Sequence, residues 1–241
     1  MRVTVVDDEM FASTAATAVL EALPSSAPTL GVATGETPMR VYAELGCRSR
    51  RGDVDLSGAR VIALDEYVGL DADDPRSYAA YVRTRIADPL GIAAANVHVP
   101  QGDSDDPGTA AKEFERQLTE VGGVDVQIAG IGSNGHLAFN EPGSALDSTT
   151  RVVELSAQTR RDNARFFGGR VDDVPRRAIT QGLATISRAR SILLLAAGRA
   201  KADALAAALR GPVVSDVPAS VLQRHGDVTV IADRAAWSRM T

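Results

Sequence analysis

His136 and Glu141 stand five residues apart in the stretch Gly130-Ile131-Gly132-Ser133-Asn134-Gly135-His136-Leu137-Ala138-Phe139-Asn140-Glu141-Pro142-Gly143. The apolar run before it, residues 124–129, reads as a buried strand. Glycines at the end of such a strand let the backbone turn sharply and approach a ligand closely. A histidine inside that turn with a carboxylate just behind it is suited to proton transfer near neutral pH. The plainer alternative is a loop histidine that only hydrogen-bonds the backbone. The other two histidines, His98 and His225, have no comparable setting.

Three further polar clusters follow apolar runs. Thr34-Gly35-Glu36-Thr37-Pro38 opens a helix after the run 29–33. The N–H groups at a helix N-terminus form a natural phosphate site, although Thr and Pro are also ordinary capping residues. The loop is not a Walker sequence, because no Gly-Lys-Ser/Thr ending is present. Asp65-Glu66 ends the run 60–64 and fits a helix cap, an ion-pair site or a catalytic pair; beside a bound sugar, one such carboxylate could carry a proton between neighbouring carbons. Gly198-Arg199-Ala200-Lys201 follows the run 191–197. Lys201 and Arg165 are either surface cations or phosphate partners, depending on whether they point into a crevice. The spacing of Gly130, Gly132 and Gly135 matches a dinucleotide fingerprint, but a His and a Pro follow it where a helix is required, which excludes an NAD site.

These clusters need elements to position them. Short apolar runs alternate with helix-like stretches throughout: strands at 2–6, 29–33, 60–64, 97–99, 124–129, 191–197 and 227–232, and helices at 8–23, 36–46, 77–86, 109–120, 177–187, 200–209 and 219–224. The pattern predicts an α/β fold, one doubly wound, mostly parallel, Rossmann-like sheet flanked by helices. Ligands bind such sheets at the carboxyl ends of the strands, where all four clusters fall. No linker or repeat divides the 241 residues, so a single domain, 1–241, is expected, with the Arg-, Asp- and Gly-rich segment 151–176 as a candidate mobile lid. The chain is 44% hydrophobic with a net charge of −5. No run is long enough to span a bilayer, and no basic face is legible for nucleic acid. The single cysteine, Cys47, leaves no disulfide framework and no Cys cluster for a metal. A cytoplasmic protein without nucleic-acid or membrane partners is expected; whether it forms a homo-oligomer is left open.

At these residues the chain closely resembles the glucosamine-6-phosphate deaminase (isomerase) family. The matching blocks are Gly31 to Pro38, Leu64-Asp65-Glu66-Tyr67-Val68-Gly69-Leu70, Ser77-Tyr78, Gly130 to Gly143, Thr159-Arg160 through Phe167, and Gly198 to Lys201. Asp-Glu-Tyr-Val-Gly-Leu combined with Gly-His-x-x-Phe-Asn-Glu-Pro separates that family from the 6-phosphogluconolactonases on the same fold, in which Asp-Glu-Arg replaces Asp-Glu-Tyr.

The resemblance implies conversion of glucosamine 6-phosphate and water to fructose 6-phosphate and ammonia, with no cofactor and no metal. His136 would open the pyranose ring, Glu141 would hold its imidazole, and Asp65 would move the C2 proton to C1. Thr34, Gly35, Thr37, Arg165 and Lys201 would hold the phosphate. Asn134 belongs to the histidine relay; many members have Asp there, so His136 is expected to be less basic here. Glu36 stands where a small residue is usual, and its side chain is expected to point to solvent. In allosteric members the activator site resembles a Ser-rich turn and an Arg-x-Lys pair. Ser144 and Arg151 remain, but Ala145 and Val153 replace the other two, which predicts no activation by N-acetylglucosamine 6-phosphate. The competing readings are a lactonase-like hydrolase, a sugar-phosphate sensor, and a deaminase-like binder without turnover.

Overall fold

The computed structural model describes residues 1–240. The strands are β1 (Arg2–Val6), β2 (Thr29–Val32), β3 (Arg60–Ala63), β4 (Asp65–Tyr67), β5 (Val97–His98), β6 (Val126–Gly130), β7 (Arg151–Glu154), β8 (Arg177–Thr180), β9 (Ser191–Ala196) and β10 (Val228–Asp233). The α-helices are α1 (Asp8–Ala22), α2 (Glu36–Arg50), α3 (Tyr78–Val82), α4 (Asp88–Leu90), α5 (Pro107–Glu120), α6 (Ala157–Asn163), α7 (Leu183–Ile186) and α8 (Ala202–Arg210). A π turn, Arg83–Ala87, joins α3 to α4.

Seven strands form a wholly parallel sheet in the order β1-β10-β9-β6-β2-β3-β5. Its inner strands are apolar because helices cover both faces: every residue of β9 is buried. On one face, Phe11 and Val19 of α1 pack with Val41, Tyr42 and Leu45 of α2. On the other, Phe114 and Leu118 of α5 pack with Leu205 and Ala208 of α8. The chain winds outward from β2 through β3 to β5, then returns to β6 and winds the other way through β9 to β10. The switch point is therefore between β2 and β6. These two strands pair only at Leu30–Val126 and Gly31–Gln127, so the loops after them can diverge around a ligand. No helix among the described residues is long and apolar enough to cross a membrane.

The parallel sheet matches expectation, but β4, β7 and β8 were not among the expected strands. The segment 177–187, expected to be helical, is strand β8 followed by the short α7. It belongs to a second, antiparallel sheet of order β4-β8-β7 that the single-sheet expectation lacked. Leu64 is the junction between the sheets: its N–H bonds Val32 O at 3.1 Å, while its carbonyl accepts from Gln181 N at 2.8 Å. Asp65 and Glu66 thus lie inside a strand, not on a free loop. Short buried runs such as Ala178-Ile179-Thr180 carry no period that separates strand from helix, and their partners are distant in sequence. Residues 155–174 pack a small core of their own, in which Leu155, Ala164, Phe167 and Val174 close on Tyr67 and Phe139.

Candidate active site

A cavity of about 1060 Å³ opens at the switch point. Its lining includes Thr34, Gly35, Thr37, Asp65, His136, Arg165 and Lys201, so seven of the nine residues singled out in the sequence share one space. Asn134 and Glu141 stand behind His136, outside the lining.

The mouth is built by α2. Gly35 precedes it with φ +118°, a region L side chains rarely adopt, and open space lies where a Cβ would stand. No side chain caps this helix. Gly35 O accepts from Met39 N at 3.2 Å, which leaves the first-turn N–H groups of Glu36 and Thr37 without an intrahelical acceptor. The Tyr42 hydroxyl accepts from Ala33 N at 3.1 Å and donates to Ala33 O at 2.9 Å, and the Tyr81 hydroxyl donates to Gly35 O at 3.1 Å. Those bonds hold the loop open. Across the cavity, Lys201 is half-buried and has no ion-pair partner among the described residues. Burial lowers its pKa; the Asp162 charge opposes this, and Arg165 adds to the lowering. Two cations thus face shared space, an arrangement that suits an anion.

Glu36 does not simply project into solvent, as expected from sequence. Its Oε1 lies 3.1 Å from Nη1 of Arg165, so the ligand-free cradle contains an ion pair.

Deeper in, Asp65 is 5% exposed, and its Oδ1 has no hydrogen-bond partner. Burial, and secondly the Glu66 charge, push its pKa well above the usual carboxylate range. Glu66 plays a different part from its neighbour. Its carboxylate accepts from the N–H groups of Tyr67, Tyr78 and Ala79 and caps the start of α3. Burial raises it to about 7 despite those three bonds.

The β6 loop sets the imidazole. Gly132 N donates to His136 O at 3.0 Å, and Gly135 N to Gly132 O at 3.0 Å. A Cβ on Gly132 would stand 2.3 Å from the His136 ring, so glycine is required there for the ring to lie flat against the backbone. Ala138 takes φ +51°, a strained value that its setting must enforce. Asn140, fully buried, supplies part of that setting: its Nδ2 donates to Leu137 O and Gln181 O, and its Oδ1 accepts from Arg151 at 2.8 Å. Glu141 then faces His136, with Oε2 at 3.8 Å from Nδ1. Asn134 donates to the same Oε2 at 2.9 Å and accepts from His136 N at 3.2 Å. Burial lowers the His136 pKa, which keeps the ring neutral near pH 7. Burial pushes Glu141 up, but hydrogen bonds from Thr159 and Asn134, the His136 charge and a bond from Ser156 outweigh it and leave its pKa below the usual value.

Thr159 and Ser156 were not singled out as site residues in the sequence. Both hydroxyls reach Glu141 from α6, Ser156 at 3.0 Å. Nor was Asn163, whose Nδ2 donates to the Tyr67 hydroxyl at 2.9 Å. Ser156 is also the N-cap of α6, donating no signal beyond that capping role in the sequence. Only the fold brings residues 156–163 onto the β6 loop.

An open parallel sheet with an anion cradle and a histidine–carboxylate pair at its switch point defines an α/β protein built for proton transfer on an anionic small molecule. Residues 7–231 match the family described as glucosamine-6-phosphate isomerases/6-phosphogluconolactonase, and the chain belongs to it. A glucosamine-6-phosphate deaminase of Cutibacterium acnes is 52% identical over 217 residues, covering 90% of this chain and 83% of its own. One from Beutenbergia cavernae is 50% identical over 223 residues, covering 92% and 85%. Among solved structures, a monomeric glucosamine-6-phosphate deaminase superposes with a TM-score of 0.95 at 37% identity, covering 99% of this chain and 100% of its own. The 6-phosphogluconolactonase of Trypanosoma brucei, at 18% identity and a TM-score of 0.81 with 100% and 98% covered, shares the fold.

Proposed function

We propose that this chain is a glucosamine-6-phosphate deaminase, converting glucosamine 6-phosphate and water to fructose 6-phosphate and ammonia. The observation that carries the reading is that one cavity holds both the anion cradle at α2 and, deeper, Asp65 and His136 backed by Glu141. Relatives about half identical over most of their length support it. The lactonase alternative has less support: position 67, where the resemblance expects a lactonase to carry Arg, holds Tyr67, buried and hydrogen-bonded to Tyr78 and Asn163.

In this reading the cradle (Thr34, Gly35, Thr37, Arg165 and Lys201) binds the phosphate and so fixes the distance from C6 to the reacting carbons. The neutral imidazole of His136 takes the anomeric hydroxyl proton as the C1–O5 bond breaks, and a proton is returned to O5. Glu141 stabilises the imidazolium formed meanwhile, and Asn134, Ser156 and Thr159 hold Glu141 in place. The Asp65 carboxylate removes the proton from C2 while O1 takes a proton from the C2 ammonium group, giving an enol-amine. Asp65 then delivers its proton to C1, which becomes the CH2OH group and leaves C2 as a protonated imine. The resulting imine at C2 adds water and releases ammonia. No step requires a cofactor.

The part of 151–176 beyond β7 brings Thr159, Asn163 and Arg165 to the cavity wall, which supports its role as a lid. A soluble phosphosugar substrate fits a cytoplasmic enzyme. The test is ammonia release from the purified protein with glucosamine 6-phosphate, coupled to detection of fructose 6-phosphate. Both should appear in equal amounts. Silence at millimolar substrate from folded protein refutes the proposal.

A further inference from the structure

The anion cradle contains an ion-paired carboxylate that anion binding does not call for. Glu36 is the first residue of α2, so its own N–H belongs to the cradle while its carboxylate occupies one of the cradle's two cations. Arg165 reaches it from the helical turn Ala164–Phe167, with its guanidinium also 4.8 Å from the centre of the Phe166 ring. Neither partner has another ion pair among the described residues. The side chains are 53% and 64% exposed, so the pair is well solvated and weakly held. The α2 N-terminus also favours a negative charge at this position, which keeps the carboxylate there when no ligand is bound.

We infer that Glu36 is an internal competitor of the substrate's phosphate for Arg165, and so sets the affinity of this site for phosphate-bearing ligands. The inference rests on the deaminase reading only for the identity of the phosphosugar. A phosphate at the first turn of α2 would lie beside the Glu36 carboxylate, and two anions cannot share Arg165 without repulsion. Arg165 must pass from Glu36 to the phosphate as the ligand enters and return as the product leaves. Lys201 feels the charge of Asp162 but is in no ion pair among the described residues, so it makes no such exchange. The exchange weakens binding of substrate, product and inorganic phosphate alike, and it gives the turn carrying Arg165 an anchor on α2 in the empty state. A neutral residue at 36 removes the competitor and leaves Arg165 free for the ligand.

Inorganic phosphate is the probe, titrated calorimetrically and as a competitive inhibitor. Glu36→Gln and Glu36→Ser should each bind it about fivefold more tightly than the unaltered protein, the scale of one weak exposed ion pair. KM for glucosamine 6-phosphate should fall in the same ratio. In an Arg165→Ala background the gain should be markedly smaller. Unchanged or weaker phosphate binding in both Glu36 variants overturns the inference, the latter meaning that Glu36 preorganises Arg165. An equal gain with and without Arg165 also overturns it, since simple repulsion at the loop would then be enough. Ammonia release by the unaltered protein is scored separately. Turnover with no Glu36 effect sinks this inference alone, while silence sinks the deaminase reading and the phosphate titration still decides the role of Glu36.

Discussion

Gly132→Ala is the substitution that most directly tests whether the β6 loop positions a catalytic imidazole. The added methyl would stand 2.3 Å from Cε1 and 2.4 Å from both ring nitrogens of His136, where ordinary contact begins at 3.4 Å. The ring must retreat by about 1 Å. It can do so, because it is half-buried at the cavity wall and no hydrogen bond ties its Nδ1. Stability should therefore change little, while the imidazole loses its place relative to the sugar and to Glu141. A displacement of about 1 Å at a reacting group costs on the order of 100-fold in rate, or about 2.7 kcal/mol of barrier. The assay is kcat for ammonia release, read beside the thermal midpoint and the affinity for inorganic phosphate. The expected result is a loss of about two orders of magnitude in kcat with the melting temperature and phosphate affinity nearly preserved. A folded variant within threefold of the original kcat would refute the reasoning, because His136 could then act from a displaced position or not at all. Collapse of the melting temperature would equally refute the claim that the ring can yield.

Other outcomes follow from the same geometry. Asp65→Asn should lower kcat by roughly 10²–10⁴ while substrate binding persists, and near-normal turnover would remove Asp65 from the mechanism. Because the folded pKa of Asp65 is raised, its ionisation opposes folding above that pKa and has no such effect below the unfolded value; the Asn variant should be at least as stable as the original at pH 8, with the difference shrinking as pH falls, as melting curves across pH will tell. The same raised pKa should put the acid limb of kcat/KM above the ordinary carboxylate range, with activity lost as pH falls through it; a limb near pH 4 would contradict the buried-base assignment. Thr159→Val removes one donor from Glu141, which should raise the Glu141 pKa and slow turnover about tenfold, the scale of a hydrogen bond to a charged group; an unchanged rate would reduce Thr159 to a packing residue. N-acetylglucosamine 6-phosphate should leave the rate curve hyperbolic and unshifted, since Ala145 and Val153 stand where the activator site would need Ser and Lys and Arg151 is bonded to Asn140 and Ser144; a sigmoidal curve that it straightens would disprove this.

The sequence by itself determined the parallel sheet and the polar groups at its strand ends. Runs such as residues 192–196 are apolar throughout because both faces are covered, and a short apolar run bounded by turn residues can be read locally. It also determined the loop chemistry after β2 and β6, where Gly35 takes a φ that L side chains rarely adopt and Gly132 leaves room for the His136 ring. Only the tertiary structure decided what depends on residues distant in the chain. The antiparallel sheet of β4, β8 and β7 places Asp65 opposite Thr180. Thr159 and Ser156 join Glu141 from a segment in which the sequence singled out Arg165 but not these two hydroxyls. Glu36 and Arg165, more than a hundred positions apart, form their pair only because residues 155–174 fold over the mouth of α2. Local backbone preference and hydrophobic period act over a few residues, whereas charge pairing and burial act through space; Glu36 stood out in the chain, but its pairing with Arg165 is visible only in the fold.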